Sequence, residues 1–423
     1  MHASLHNEVL SPDATHTAAM QTDAPVDAIA AVTHPDPYPF YARLRAGPPL
    51  VFDPALRLWI ASRADVVVAA LGHPTLRVRP PVEPVPRAIA GTPAGELFGQ
   101  LVRMNDGPLH TAHRPALQRA LARLSAQDAE AAVRQAADVL GASARSTEDW
   151  YFALPVASVA ALLGFDNAQL APLAGWTREF AACLSPLSSP EQLQAASAAA
   201  TELLARFAAH ASQSPRAGSL LEAVIQETEG SLTVQQRTLQ ANLVGLLSQT
   251  CEAMAGLLGN SMVALGREPG LRARFDADAG PATALALVAE TARLDPAVHN
   301  TRRFVAEPLD LAGAQLQPGD ALLLVLAAAQ RDPQFDPDAP ERFSLQRSPR
   351  RLLGFGHGPH ACPGQALAQQ LAAHGLQALR HRVQWLRPGA ELPPLQGYRP
   401  SVNARIPRFA DNSDNTRSPT CMP

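Results

Sequence analysis

Phe355-Gly356-His357-Gly358-Pro359-His360-Ala361-Cys362-Pro363-Gly364 reads as a backbone loop that presents a single sulfur to a metal. Gly356, Gly358 and Gly364 permit tight turns and a backbone approach that a Cβ would obstruct. Cys362 stands immediately before Pro363, and proline suits the first position of a helix. The apolar positions that follow (Ala366, Leu367, Ala368, Leu371, Ala372) predict a helix beginning there. A sulfur at a helix N-terminus faces backbone N–H groups and the positive end of the dipole, which favours the thiolate. The thiolate is the form that binds metal.

Each residue alone has a blander reading. A cysteine near glycine and proline is most often a small buried hydrophobe. His360, two positions before Cys362, would also suit a partial zinc site or a Cys/His hydrolase, although a base so near its nucleophile in sequence is poorly placed. The whole pattern F-G-x-G-x-H-x-C-x-G is more specific, and it resembles the haem-binding loop of the cytochrome P450 family. The resemblance implies a mainly α fold with small β-sheets (α+β), a triangular helix-rich prism. Haem lies in it between a long central helix and the helix after the cysteine loop. It also implies heme b (iron protoporphyrin IX) with the Cys362 thiolate as axial ligand and Phe355, Gly356 and Gly364 against the cofactor.

The chain has 423 residues, and a hydrophobic fraction of 47% suffices for a large core. A formal net charge of -3 gives no electrostatic case for nucleic-acid binding. Cys183, Cys251, Cys362 and Cys421 show no C-x-x-C spacing, which argues against a disulfide framework or structural zinc and fits a reducing compartment. Residues 239–265 are apolar but carry Gln249, Glu252 and Asn260, so a buried core helix fits better than a membrane span. The expectation is a cytoplasmic monomer without a membrane anchor. Residues 1–29 would be a disordered extension, 30–409 a single cytochrome P450 domain and 410–423 a flexible tail.

Residues 36–45 read as a Pro-initiated helix, 49–53 and 58–62 as a two-strand ribbon, and 64–71 as helix. Residues 77–99, rich in Pro and Arg without a sustained period, read as a long loop, where the family places a substrate-contacting segment. Residues 116–210 are mostly helical, with Trp176 and Phe180 on one face as core. His110 and Arg114 are four apart and share a helix face, which by spacing alone is most simply solvated. In context, Asp106-Gly107-Pro108-Leu109-His110 with Arg114 resembles the family's D-P-P-x-H-x-x-x-R, whose His and Arg contact haem propionates. Arginine is the natural bidentate partner of a carboxylate. By the same resemblance Arg303 is a third propionate contact, with Arg302 as its neighbour of opposite facing, and His360 a fourth.

Glu290 and Arg293 resemble the family's E-x-x-R, although exposed pairs three apart are common on any helix and contribute little. The family buries this pair with a second arginine from a P-x-R-F-like segment, here Pro340-Glu341-Arg342-Phe343, so Arg342 is the expected third member. Residues 295–301 correspond to a turn facing substrate. Val298, His299 and Asn300, together with Gln249, are the candidate pocket residues.

The central helix departs from the family pattern. Members carry an Ala/Gly-Gly-x-Asp/Glu-Thr run where the helix crosses the haem, and Gln249-Thr250-Cys251-Glu252-Ala253 occupies that place. The acid survives as Glu252, the threonine has become Ala253, and a small position has become Thr250. Oxygen activation needs a proton delivered on this side of the cofactor, and Ala253 cannot donate one. Thr250 lies on roughly the same face and would substitute, or would bond its own i−4 carbonyl and do nothing catalytic. Proton delivery by the substrate, a rearranged path through Thr250, Gln249 or Glu252, and chemistry needing no ordinary path all remain open.

The resemblance thus implies a monooxygenase that activates O2 to hydroxylate or epoxidise a small, largely apolar organic molecule. No nicotinamide or flavin fingerprint is visible, so electrons would come from a ferredoxin or flavodoxin served by an NAD(P)H reductase. Arg347, Arg350, Arg351 and His357 would offer such an acidic donor a basic surface. The alternatives are peroxide-driven, coupling, dehydration or rearrangement chemistry, motivated by Ala253, and a haem-binding sensor or carrier.

Overall fold

Short polar side chains start many of the helices. Ser125 with Asp128, Ser146 with Asp149, and Ser189 with Gln192 form reciprocal capping boxes at the heads of helices Ala126–Leu140, Thr147–Leu162 and Pro190–Ala211. The computed structural model describes residues 24–410 except 142–143, 145, 229–231 and 279. Helix Thr147–Leu162 is buried nearly all round, because it packs against both Ala126–Leu140 and the central helix Leu232–Arg267. The main core lies between these helices and Gln365–Arg380.

The β structure is minor and lies to one side. Its five-stranded sheet runs in the order Leu50–Asp53, Leu58–Ala61, Ala321–Leu324, Thr301–Val305, Leu76–Arg77. The expected ribbon is present, with Leu50 opposite Ala61 and Asp53 opposite Leu58. Two hairpin-like pairs, Leu309–Leu311 with Ala314–Leu316 and Leu395–Tyr398 with Pro407–Phe409, complete it. No helix among the described residues is long and apolar enough to cross a membrane.

Three boundaries differ from expectation. Residues 77–99 are not loop throughout: helix Pro93–Gln100 forms there, with Pro at its start and the Thr92 side chain accepting from the Gly95 N–H. The helix after Cys362 starts at Gln365 with Gly364 as its N-cap, so Pro363 precedes the first turn. The packed chain begins before residue 30, since Ala28 and Ala31 are buried with Tyr41 beneath the sheet. The remainder of the expected N-terminal extension, residues 1–23, and residues 411–423 of the expected tail lie outside the described residues.

A buried polar cluster holds the turn after helix Pro281–Leu294. Asp295 accepts from Tyr38 Oη at 2.5 Å and lies 3.0 Å from Arg405 Nε and 3.4 Å from His299 Nε2. Arg405 also donates to the carbonyls of Val32, His34 and Pro35, tying the N-terminal segment to the same point. Burial alone would raise the Asp295 carboxyl, but Arg405, His299 and Tyr38 together hold it far below the ordinary range. His299 is pushed down from 6.5 to about 4, by burial first and by nearby Arg405, and is therefore neutral.

The depressed His299 value makes stability depend on pH. Between about 6.5 and 4 the unfolded chain binds a proton that the folded chain refuses. This contribution is therefore complete above pH 6.5 and lost as pH falls toward 4. Between pH 7 and pH 5 it amounts to about 2 kcal/mol. Urea unfolding of His299→Gln across that interval should show about 2 kcal/mol less loss than wild type. Equal slopes would remove His299 as the cause.

Candidate cofactor and substrate site

A cavity of about 740 Å³ opens between the Cys362 loop and the middle of the central helix. The loop is a short 3-10 turn, Leu353–Phe355, followed by Gly356 at φ +77° and Gly358 at φ +70°, both in the left-handed region. A Cβ on Gly358 would also come within 3.2 Å of the Gly72 Cα, where helix Ala64–Gly72 crosses the loop. The Cys362 N–H closes the loop on the Phe355 carbonyl at 2.7 Å. Gln330 holds it from below, accepting from the Leu353 N–H at 2.6 Å and donating to the Arg351 carbonyl. Gly364 has an ordinary φ of -98°, so its place is not a matter of backbone strain. Its N–H points at the Cys362 sulfur.

Among the described cysteines, Cys183 and Cys251 are buried and pushed up to about 12, chiefly by burial. Cys362 is the exposed one, and it faces the cavity. Burial raises its pKa despite the Gly364 N–H and the Arg114 and Arg103 guanidinium groups. The Gly364 N–H and the two guanidinium groups act in the thiolate's favour, and burial against the loop outweighs them. A metal would deprotonate the thiol, as coordination does for thiols generally.

His110, Arg114, Arg303 and His360 come together at one edge. His110 and His360 have ring centroids 4.3 Å apart. Arg114 and Arg303 line the cavity, Arg114 donating to the Ala361 carbonyl and Arg303 to the Arg302 carbonyl. His360 Nε2 lies 2.9 Å from Asp106 Oδ1, so its outer nitrogen already has a carboxylate. Burial would raise Asp106, but His360 and the Val78 N–H outweigh it and hold the carboxyl low. His110 bonds the Pro359 backbone and is kept neutral by burial first, then by His360 and Arg114. Its Nε2, like Nδ1 of His360, is buried without a partner. Two arginines on the cavity wall, with the two orphaned imidazole nitrogens beside them serving as donors when their rings are doubly protonated, fit a carboxylate-bearing group, and a propionate is one. A soft sulfur facing the same space fits the iron of that group. The residues therefore fit haem.

Glu290 and Arg293 are fully buried, with Arg293 Nη2 2.8 Å from Glu290 Oε1. The expected third member is corrected. Arg342 is exposed and contributes its carbonyl, which accepts from Arg293 at 2.9 Å. The guanidinium groups that reach Glu290 belong to Arg347, at 3.2 Å, and Arg350, at 3.1 Å, with Asp336 bridging Arg293 and Arg347. The chain turns its backbone inward at Arg342 and brings its side chains back one turn later. Arg347 and Arg350 are therefore committed inside, leaving Arg351 and His357 exposed on the face once assigned to all four.

On the opposite wall stand Gln249, Thr250, Ala253 and Met254. Thr250 Oγ1 donates to the Leu246 carbonyl at 2.8 Å and Gln249 Nε2 to the Gly245 carbonyl at 2.9 Å, so both are used within the helix. Glu252 lies off the wall, its carboxyl raised by burial and only partly relieved by Arg399 and Arg103. Val298 and Asn300 line the cavity, whereas His299 faces the Asp295 cluster, a correction to its assignment as a pocket residue. Phe180 is core and Trp176 packs on it, while the turn beyond them, with Cys183, Leu184 and Ser185, roofs the cavity. Arg103, which no motif marked, projects into the same space.

A family model described as Cytochrome P450 matches residues 284–394. The chain is 30% identical over 388 residues to Cytochrome P450 144 of Mycobacterium tuberculosis, covering 88% of this chain and 87% of that one. It is 31% identical over 365 residues to Cytochrome P450 monooxygenase PikC of Streptomyces venezuelae, covering 82% and 84%. Among solved structures, epothilone B-bound Cytochrome P450epoK aligns with a TM-score of 0.75 at 21% identity over 88% of this chain and 95% of its own. CalO2 aligns at 0.73 and 23%, over 92% and 97%. These two show the fold. The chain belongs to the cytochrome P450 family. It is a P450-type oxidoreductase, a class that works on small molecules with a haem-thiolate cofactor and a redox partner.

Proposed function

We propose that this protein is a single-domain, monomeric monooxygenase that binds heme b through Cys362 and oxidises a small organic molecule with electrons from a ferredoxin-type donor. The observation that carries the reading is the convergence of Cys362, Arg114, Arg303 and His360 on one cavity beneath the central helix. Haem held by a thiolate supplies the oxygen activation. The chain's part is to hold and orient it. Arg303 and Arg114 would neutralise the propionates. A carboxylate at His110 Nε2 would need the doubly protonated ring and would itself raise that pKa. Gly364 N–H would temper the sulfur's donor strength, and Arg351 and His357 would meet the donor. The first test is the reduced, CO-bound spectrum: a far-red Soret band supports the reading, and a histidine-like band or no haem overturns it.

A second reading, peroxide use or a reaction other than oxygen insertion, is favoured by the distal wall. Ala253 offers no hydroxyl and the Thr250 hydroxyl is engaged with Leu246. Isotope-labelled O2 appearing in product, tightly coupled to NAD(P)H through a surrogate redox pair, would sink this second reading. For the proton, Ala253→Thr should shift the ratio of product to NAD(P)H consumed, whereas Thr250→Val should leave that ratio within error of wild type. The reverse pattern would place the proton path through Thr250.

A further inference from the structure

We infer that Asn300 is a fixed hydrogen-bond acceptor in the substrate cavity, so that the substrate is a neutral molecule carrying a hydroxyl or amide N–H donor. The inference rests on the proposed function, since it names the class of molecule that enzyme takes. Asn300 lines the cavity and is only 2% exposed. Its Nδ2 donates to the Val402 carbonyl at 2.9 Å, which fixes the amide's orientation, because the reverse would set oxygen against oxygen. Its Oδ1 has no donor among the described residues. An acceptor so enclosed is ordinarily satisfied. The residue is otherwise surrounded by protein, so the cavity is the side from which a donor reaches it. The backbone is tied down on both sides of Asn300. Val298 bridges Ala404, the His299 N–H bonds the Asn403 carbonyl at 2.9 Å, and Thr301 enters the sheet opposite Leu324. The acceptor is therefore held in place before anything binds, which lowers the ordering cost of binding.

Haem in the same cavity is not that donor: its propionates accept, iron holds its nitrogens and the rest of its rim is hydrocarbon. A carboxylate substrate is equally mismatched to Oδ1, since it too only accepts. A cation is disfavoured by the arginines of the lining, Arg79, Arg103 and Arg302 among them. The carboxylate on the wall, Glu83, is spent on Arg87 at 3.1 Å. A neutral O–H or N–H remains. The central helix repeats the arrangement in weaker form. Gln249, half-buried, spends its Nε2 on the Gly245 carbonyl, and its Oε1 has no donor among the described residues. Asn242, another amide of the lining, is by contrast consumed: it accepts from the Val102 N–H and donates to the Gln100 and Thr238 carbonyls. Val298 and Val402 also line the cavity and suit the hydrocarbon body of such a molecule.

The test uses haem-loaded protein, with the CO spectrum recorded first. A histidine-like band fails the proposed function, and calorimetry then still decides the role of Asn300. Cyclododecanol against cyclododecanone, decanol against its methyl ether, and N-butylbenzamide against butyl benzoate are titrated by calorimetry and by the spin-state shift of the haem band. Each pair differs in the donor and little in shape. In wild type the donor should bind about three- to tenfold more tightly than its partner on at least one scaffold, the net worth of a hydrogen bond. Asn300→Leu and Asn300→Ala should each erase that ratio, which a general loosening of the wall would leave in place. Either variant that loads haem decides. No donor preference on any scaffold in wild type overturns the assignment. So does a preference that survives Asn300→Leu and is lost in Gln249→Leu, or failure of both Asn300 variants to load haem, which would make the residue part of the scaffold. Decanoate binding more tightly than decanol, with that gain lost in Arg302→Gln, overturns the neutral class.

Discussion

Cys362→Ser yields a folded protein with no far-red CO band and no NAD(P)H-dependent product. The side chain differs by one atom, and the loop that holds it does not depend on the sulfur. The Cys362 N–H closes on Phe355, Ala361 N–H on Gly358, and Gln330 supports the turn at Leu353. Global stability measured by urea should therefore stay within about 0.5 kcal/mol of wild-type apoprotein, as for substitutions that disturb no packing. A serine hydroxyl is a harder and weaker donor than a thiolate, so with Cys362 as the proposed ligand the exchange would withdraw electron density from the iron and oxygen activation would fall with it. Retention of the thiolate spectrum in this variant would transfer the ligand to another cysteine. Cys183 is the candidate to check, because it too borders the cavity.

The second large effect is on folding. Glu290 accepts from Arg293, Arg347, Arg350 and the Ser344 N–H, and is fully buried. Glu290→Gln leaves three guanidinium groups around a neutral amide and should cost ~3–5 kcal/mol, the usual consequence of stranding buried charge. Arg293→Ala should cost a similar amount, because Glu290 and Asp336 lose the more deeply buried of the two guanidinium groups they share. Arg342→Ala is the control. Its side chain is exposed and only its carbonyl takes part, so it should change stability by less than about 0.5 kcal/mol. A large loss in the Arg342 variant with little in Arg347→Ala would restore the pairing expected from the motif. Haem retention should fall in parallel with stability, since Arg350 and Arg351 lead directly into the loop.

The contrast between Arg342 and Arg347 explains what a sequence discloses. The cysteine loop was legible because its determinants are local: turn glycines, a sulfur and a following amphipathic run all lie within one short segment. The E-x-x-R pair was legible for the same reason, being one helical turn. Which arginine completes it depends on how a proline-rich loop folds over the helix, and that is decided by tertiary packing. The 77–99 region was misjudged because one helix, Pro93–Gln100, hides behind proline, which here starts it. Arg103 carried no signal at all. A single arginine in a short 3-10 turn looks like any surface residue until the cavity around it is seen.

The alternation along residues 298–300 has a consequence for how this enzyme can be diversified. Val298 and Asn300 touch the cavity, and His299 between them is locked into the cluster of Asp295, Tyr41 and Arg405. Specificity and foldability are therefore written at adjacent positions but on separate registers. A library that varies 298 and 300 explores substrate shape on an intact scaffold, whereas one that scrambles all three spends most of its members on chains that cannot assemble.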